Sequence, residues 1–234
     1  MIRKKLPGSN TFKIPTKNQA DKFIKVLYRT VAANNLLLGF AHALENAPLD
    51  DSFSDAIDIF KDCQKNKGKI ITTGMGKAGI AMCKFSSILC SLGIPSCYLH
   101  PGEASHGDLG IISENDVLFV ASTSGKTREV LEIIELARGL NISKIVGITS
   151  HTDSPIREKA DVVIDMGIIK EDGHLNLAPT TSILVMLALT DALAIVIAQE
   201  NNFTAEDYLK RHHSGYLSVK AAEMAKETKG KSNE

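Results

Sequence analysis

Hydroxyl side chains and one glycine are concentrated in a single short segment of the chain. The segment reads Ser122, Thr123, Ser124, Gly125, Lys126 and Thr127. It follows an apolar run, Asp116 to Ala121, that predicts a buried strand, and it precedes a helical pattern from Arg128 to Leu140. The first N–H groups of a helix have no partner inside it and the helix dipole is positive there, so this turn suits an anion such as a phosphate monoester. An ordinary helix N-cap is the alternative interpretation.

A glycine-rich turn, Gly74 to Gly79, also lies between a predicted strand and a predicted helix. Its glycines, which include Gly76, match the dinucleotide pattern GxGxxG, but no acidic residue ends a strand near position 97, where the ribose partner is expected. It is not a Walker A loop, because that loop has four residues between its first glycine and Gly-Lys. The turn places Lys77 at a helix start, where a positive charge is unfavourable unless an anionic ligand binds there. A solvent-facing lysine is the alternative.

A third polar loop, His100 to Gly110, follows another predicted strand and contains two histidines and two acidic residues. His106 is a weak candidate for a metal ligand. No cysteine and no fixed histidine spacing supports a zinc site, so we expect no metal, and a pocket wall or a subunit contact is the preferred interpretation.

Two later segments add titratable groups. Glu171 lies in a polar segment that leads into a long apolar helix, and the hydroxyls of Thr180 and Thr181 lie at the start of that helix. His212 and His213 interrupt the chain between two C-terminal helical patterns. Paired histidines of this kind are usually surface residues, so the pair alone indicates little.

The composition excludes several classes of protein. The 234 residues contain 27 Lys and Arg against 27 Asp and Glu, so no global field attracts nucleic acid or an anionic membrane. The four cysteines include no CxxC pair, which favours reduced thiols in the cytoplasm. No signal-peptide core follows the basic N-terminus. The most apolar run, Ile183 to Ala198, is shorter than a membrane span and includes Asp191, so we expect a buried helix.

Short apolar segments alternate with helical patterns, which predicts an α/β fold: a doubly wound, mostly parallel five-stranded sheet flanked by helices. The predicted strands are Lys69 to Thr73, Ser96 to His100, Val117 to Ala121, Lys144 to Thr149 and Val162 to Asp165. The predicted helices are Lys17 to Asn46 (one helix or a broken pair), Asp51 to Lys65, Lys77 to Leu92, Arg128 to Leu140 and Pro179 to Glu200, before a C-terminal helical tail. We expect a flexible arm over residues 1–16, one domain over 17–225 and a frayed end over 226–234.

Five segments together resemble the sugar isomerase (SIS) domain family and, within it, the bacterial D-arabinose 5-phosphate isomerases of the Kdo (3-deoxy-D-manno-octulosonate) pathway. The segments are GMGKAG, HPGEASHGDLG, STSGKTREV, LAPTTS and FTAEDYLKRHHSG. The resemblance runs from about residue 20 to 217 and implies the SIS fold. Many family members have a tandem regulatory pair after this domain, and the chain resembles the form that lacks it.

The resemblance implies four catalytic residues. Lys77 matches the lysine of GMGK, Glu129 the glutamate after the hydroxyl loop, Glu171 the glutamate before LAPT, and His212 the histidine after FTAED. Together with the anion-binding turn, it predicts a set of substrate-binding residues. They are Gly74, Gly76, His106, Ser122, Thr123, Ser124, Thr127, Thr180 and Thr181.

The chain departs from the family pattern at two places. The phosphate loop of the family commonly reads SNSGES, whereas here Thr123 replaces the Asn and Lys126-Thr127 replaces the Glu-Ser, which adds a cation beside the expected phosphate. The family histidine usually begins HPGG, and here the segment reads His-His-Ser-Gly. We select His212 rather than His213 by its register from Phe203.

The implied reaction is the interconversion of D-arabinose 5-phosphate and D-ribulose 5-phosphate through an enediol, without a cofactor. Lys77 would stabilise the developing negative charge, and His212, Glu129 and Glu171 are three candidate bases that the sequence does not rank. His212 lies far along the chain from the other motifs, which suggests that it enters the site of a neighbouring subunit.

The resemblance also implies a cytoplasmic homo-oligomer, a tetramer, that binds a sugar phosphate but neither nucleic acid nor membrane. CMP-Kdo is expected to compete at the same anionic site as a feedback ligand. The alternatives are an isomerase for a heptose or hexulose phosphate, and a non-catalytic sugar-phosphate sensor. The sensor would not need Lys77, Glu129, Glu171 and His212 together.

Overall fold

A five-stranded parallel sheet forms the centre of the molecule. The computed structural model of the chain describes residues 51–172 and 174–231. The strands lie in the order β2-β1-β3-β4-β5, and all four strand pairs are parallel. Their bounds are Ile70–Gly74 for β1, Ser96–Tyr98 for β2, Val117–Ala121 for β3, Lys144–Thr149 for β4 and Val162–Asp165 for β5. The predicted doubly wound α/β class is confirmed.

Eight α-helices are present in the described residues. They are α1 (Ser52–Lys65), α2 (Gly76–Ser91), α3 (Pro101–Ala104), α4 (Arg128–Gly139), α5 (Ile156–Lys159), α6 (Thr181–Glu200), α7 (Ala205–Leu209) and α8 (Tyr216–Lys231). A short 3₁₀ turn, Asp108–Ile111, follows α3.

The core has two layers, one on each face of the sheet. Phe119 of β3 packs against Phe60 of α1 and Phe85 of α2, with ring centroids 5.4 Å apart in both pairs. This layer also includes the buried side of α6, while Leu118 on the opposite face packs with α4 and α5. Because successive side chains of a strand point to opposite faces, the apolar run of β3 serves both layers.

The observed elements differ from the predicted ones mainly at their ends. Strand β2 stops at Tyr98 rather than at His100, because His100 already caps α3: its Nδ1 accepts a hydrogen bond from the N–H of Gly102 at 3.2 Å. Strand β1 begins one residue later than predicted, at Ile70, and the N–H of Lys69 donates to the buried carboxylate of Asp116 at 2.8 Å. The short helices α3 and α5 and the 3₁₀ turn were not predicted.

Helix α6 is the one helix among the described residues that is long and apolar enough to cross a membrane, and 50% of its apolar window is buried. It packs on α1 and α2, and Met186, Leu193 and Ile197 are buried between them. This packing agrees with the expected core helix.

The N-terminal part of the predicted domain and the end of the predicted tail lie outside the described part of the chain. The predicted arm over 1–16 and the helix or helix pair over Lys17 to Asn46 lie outside the described residues. Helix α8 continues to Lys231, so residues 226–231, which we assigned to a frayed end, are helical. Residues 232–234 lie outside the described residues.

Candidate active site

A cavity of about 260 Å³ lies at the carboxyl ends of β1, β3 and β4, where ligands bind in parallel sheets of this kind. Three loops and the start of α6 surround it. Its lining residues are Met75, Lys77, Ala78, Ala121, Ser122, Thr123, Ser124, Thr127, His151, Pro179 and Ile183. The cavity therefore unites the predicted phosphate loop with the predicted Lys77.

The hydroxyl loop between β3 and α4 is organised around Ser122. The Ser122 side chain is buried, its Oγ accepts a hydrogen bond from the N–H of Gly125 at 3.0 Å, and it lies 2.8 Å from Thr127 Oγ1. Ser124 Oγ accepts from the N–H of Lys126 at 3.2 Å and lies 3.5 Å from Ser122 Oγ. The loop thus presents a set of mutually bonded hydroxyls immediately before the positive end of α4.

Gly125 is required by the shape of this loop. Its φ of +65° is in the left-handed region, which side-chain-bearing residues rarely adopt. A Cβ atom at this position would lie 1.6 Å from Ser154 Oγ and 2.9 Å from Thr149 Oγ1. The buried Ser154 side chain therefore forms the back wall of the loop, and only glycine fits in front of it.

The glycines of the β1–α2 turn have structural roles. A Cβ atom on Gly79 would lie 2.4 Å from the carbonyl oxygen of Gly74, so the strand and the helix approach each other through Gly79. Gly76 has a φ of +58° at the start of α2. Neither Gly74 nor Gly76, both predicted to bind substrate, is among the lining residues, whereas the exposed Lys77 is.

Glu171 caps the N-terminus of α6. One carboxylate oxygen, Oε2, accepts hydrogen bonds from the N–H of Thr180 at 2.8 Å, from its hydroxyl at 3.3 Å and from the N–H of Ser182 at 3.3 Å. Burial alone would raise the pKa of Glu171, but the hydrogen bonds from Ser182 and Thr180 outweigh it, so its pKa lies below the ordinary value. Neither Glu171 nor the predicted Thr180 and Thr181 lines the cavity, and Pro179 and Ile183 line it in their place.

Glu129 and His106 are also outside the cavity lining. Glu129 lies half-buried in the first turn of α4, close in sequence to Thr127. The exposed His106 lies between α3 and the 3₁₀ turn. Among the described residues, no group of three or more His, Cys, Asp or Glu side chains could hold a metal ion.

His212 lies at the opposite edge of the sheet from the cavity of its own chain. Its ring stacks on Tyr208 at a centroid distance of 3.7 Å. The adjacent Arg211 packs against Gly93, where a Cβ atom would lie 2.8 Å from the guanidinium group. Gly93 follows the last turn of α2, whereas Lys77 lies in its first turn, and a helix of this length spans about 24 Å. A single chain therefore does not bring His212 to Lys77.

Lys126, which the loop sequence placed beside the expected phosphate, instead pairs with a residue of another loop. Its ammonium group lies 2.6 Å from a carboxylate oxygen of Asp153, in the loop between β4 and α5, and Lys126 does not line the cavity. The residue of that second loop that lines it is His151, which the sequence analysis did not select. The available signal was the polar segment Ser150 to Ser154, which follows a central strand at the same edge of the sheet.

Comparison with known proteins agrees with this architecture. The SIS domain model matches residues 64–196. The chain is 40% identical to arabinose 5-phosphate isomerase KdsD of Pseudomonas aeruginosa over 163 residues, which are 68% of this chain and 50% of the relative. It is 37% identical to the KdsD protein of Francisella tularensis over 80% of this chain and 57% of the relative. The chain thus spans about half the length of the curated relatives it matches.

Two solved structures are similar over most of their length. A Bacteroides fragilis protein, described as a candidate phosphosugar isomerase involved in capsule formation, is 43% identical, with a TM-score of 0.71 over 79% of this chain and 97% of that chain. The Escherichia coli CFT073 protein c3406, solved in complex with arabinose 5-phosphate, is 27% identical, with a TM-score of 0.72 over 83% of this chain and 97% of that chain. From the match of the domain model to more than half of its residues, and from the similarity of its fold to these structures, the chain belongs to the SIS domain family.

Proposed function

We propose that this protein is an aldose–ketose isomerase that interconverts D-arabinose 5-phosphate and D-ribulose 5-phosphate. The observation that supports it most directly is the cavity in which the hydroxyl loop and Lys77 face the same space. The names of the curated relatives and the arabinose 5-phosphate complex of a similar structure support the same substrate.

The phosphate group is held by the loop before α4. The hydroxyls of Ser124 and Thr127 and the first N–H groups of α4 bind its oxygens, and Thr123 lines the same cavity. Ser122 and Ser124 each accept a backbone hydrogen bond, but Ser122 is buried and Ser124 is only half-buried. We therefore assign to Ser122 the role of keeping the loop in its binding shape.

The chemical step moves one proton between neighbouring carbons. A base removes the proton from C2 of the open-chain aldose, the electron pair of that C–H bond forms the C1–C2 double bond, and O1 takes the carbonyl electrons and a proton. The enediol then loses the proton of O2 as the C2 carbonyl forms, and C1 receives a proton. Lys77 stabilises the negative charge that develops on the oxygens.

Of the three candidate bases, Glu171 is the weakest in this conformation, because its lowered pKa means that it binds a proton poorly. Glu129 lies in the first turn of α4, two residues after Thr127 of the proposed phosphate loop. His212 would act from a neighbouring subunit, since its own chain holds it at the other edge of the sheet. We propose that the protein assembles into a tetramer.

We place the enzyme in the cytoplasm, at the first step of Kdo biosynthesis for lipopolysaccharide or capsule. All four cysteines are unpaired, which agrees with a reducing compartment. Burial raises the pKa of the Cys63 thiol to about 11, so that thiol stays protonated and unreactive.

We further propose that CMP-Kdo competes with arabinose 5-phosphate for the cavity that contains Lys77 and the hydroxyl loop. Purely non-competitive inhibition would contradict this.

The test is the coupled detection of ribulose 5-phosphate formed from arabinose 5-phosphate, beside a panel of hexose and heptose phosphates. Lys77→Met should lower kcat at least a hundredfold, because it removes the charge that stabilises the enediolate. Lys144→Met is the matched control, since Lys144 lies at the amino end of β4. Absence of ribulose 5-phosphate, or equal rates for both variants, would reject the proposal.

A further inference from the structure

His151 is a titratable side chain at the mouth of the cavity to which the reaction above assigns no role. It lies in the turn after β4, its side chain is 50% exposed, and it lines the cavity together with Lys77, Ser124 and Thr127. We propose that His151 is a further phosphate-binding residue, positioned by Asp153. This inference rests on the phosphate site of the proposed function and deepens it.

The backbone of His151 is fixed from the far side. Its carbonyl oxygen accepts a hydrogen bond from Arg157 Nε at 2.8 Å, and the same guanidinium group donates to Asp165 at the end of β5 at 2.7 Å. The first helical turn after the loop and the edge strand therefore hold the residue in place. Because the backbone is fixed, the side chain of His151 leaves the loop at the cavity without help from a ligand.

Asp153 is the acidic side chain that lies beside the ring of His151. Nδ1 of His151 lies 3.8 Å from Asp153 Oδ1, which is an electrostatic contact and is too long for a hydrogen bond. The other carboxylate oxygen accepts from Lys126 at 2.6 Å, and this hydrogen bond lowers the pKa of Asp153, which keeps the carboxylate charged. In its protonated form the imidazole has an N–H on both nitrogens, so Nδ1–H would face the carboxylate while Nε2–H would be available to a phosphate. Within the described part of the chain, Nε2 has no protein hydrogen bond.

The distribution of charge favours an anionic ligand at His151. The charged groups that face it are Asp153 on its own loop, Lys126 on the phosphate loop, Arg157 on α5 and Lys77 across the cavity. Lys126 is neutralised by Asp153, and Lys77 is assigned to the sugar oxygens. A phosphate monoester has about −1.5 to −2 charges at neutral pH. Among the described residues that line the cavity, His151 is the remaining side chain that can donate a charge-assisted hydrogen bond to it.

The test measures binding without turnover. D-Arabinitol 5-phosphate lacks the carbonyl and cannot be isomerised, so calorimetric titration with it reports on substrate-like binding without turnover. Titration with inorganic phosphate reports on the phosphate site alone. His151→Ala should weaken both ligands about tenfold, the usual effect of losing a hydrogen bond to a charged group. His151→Gln, which keeps a donor, should recover part of the loss, and Asp153→Asn should weaken binding by a smaller factor.

His213→Ala is the matched control, because it removes an exposed imidazole between α7 and α8. Equal affinities of the parent and His151→Ala for D-arabinitol 5-phosphate, with unchanged melting temperatures, would overturn the role of His151 and leave the proposed function intact. A parent protein that binds neither ligand would reject the phosphate site itself, and the inference with it.

Discussion

At the scale of single residues, the hydroxyl loop differs in burial along its length, and this difference underlies the proposed division between shaping the loop and binding phosphate. Ser122 is buried and bonded to the N–H of Gly125, while Ser124 and Thr127 are half-buried at the cavity wall. The sequence does not reveal this difference, because the burial of each hydroxyl depends on how the folded backbone of the loop orients its side chain.

The hydroxyl loop leads to the first residue-scale prediction. Ser122→Ala with Ser124→Ala should raise the KM for arabinose 5-phosphate at least tenfold, because a loop-shaping bond and a phosphate contact are lost together. The kcat should change less, since Lys77 is untouched. Steady-state kinetics of the double variant checks this, with Ser87→Ala on the exposed side of α2 as the control. An unchanged KM would place the phosphate anchor elsewhere.

The sequence analysis selected the hydroxyl loop and Lys77, which the structure brings together at one cavity, but it did not predict the ion pair of Lys126 and did not select His151. Because Lys126 belongs to the hydroxyl loop in the sequence, we expected its charge to lie beside the phosphate of that loop. Lys126 instead reaches Asp153, which is 27 residues further along the chain. Contacts between two loops depend on the register of the strands that precede them, which no local pattern contains.

At the scale of elements, the most apolar helix of the described chain has a polar, charged start. Glu171 supplies the cap of α6 from the loop before it, through bonds to Thr180 and Ser182. The helix dipole adds to the effect, because an anion at the N-terminus is stabilised.

The cap leads to a prediction about stability and pH. The folded pKa of Glu171 is lowered, so its stabilising contribution is present above its unfolded pKa and is lost as the pH falls through the folded value. Glu171→Gln should reduce the free energy of unfolding at pH 7 by about 1 kcal/mol. The difference from the parent should shrink below about pH 4, near the unfolded pKa of a glutamate. Urea unfolding of the parent and of Glu171→Gln at several pH values measures this difference in free energy. A difference that stays constant with pH would contradict the role of the Glu171 carboxylate as the cap.

Element prediction succeeded where the periodic signal was long. The bounds of β3, β4 and β5 were predicted correctly from their apolar runs. The helices α3 and α5 span four residues each, which is about one turn, so they have too few residues to show a helical period.

At the scale of the whole molecule, the candidate catalytic groups are divided between the two edges of the sheet. Lys77 and the hydroxyl loop lie at the carboxyl edge, while His212 lies near Gly93 at the amino edge. The sequence analysis suggested a neighbouring subunit for His212 from its distance along the chain, and the fold supports that suggestion with a distance in space.

Subunit mixing tests this division. Lys77→Ala and His212→Ala should each lower kcat by about a hundredfold or more, the range found for acid–base and electrostatic groups. If each site takes its histidine from a partner, co-refolding the two inactive variants should restore part of the activity, because some mixed sites have both residues. The control is His212→Ala refolded alone under the same conditions, which should stay inactive. No recovery in verified mixed oligomers would place both groups in one chain's site.

The buried carboxylate of Asp116 has a consequence for how the chain folds. It binds the N–H and the ammonium group of Lys69 and the N–H of Ser113, and so joins the start of β1 to the start of β3, 47 residues away. In this sheet β1 pairs with β3 directly, so its central ladder forms only after a long loop has closed. Loops of that kind slow folding, because their entropy is lost before any contact compensates for it. We therefore expect the meeting of β1 and β3, at the edge of the sheet farthest from the cavity, to contribute to the barrier to folding.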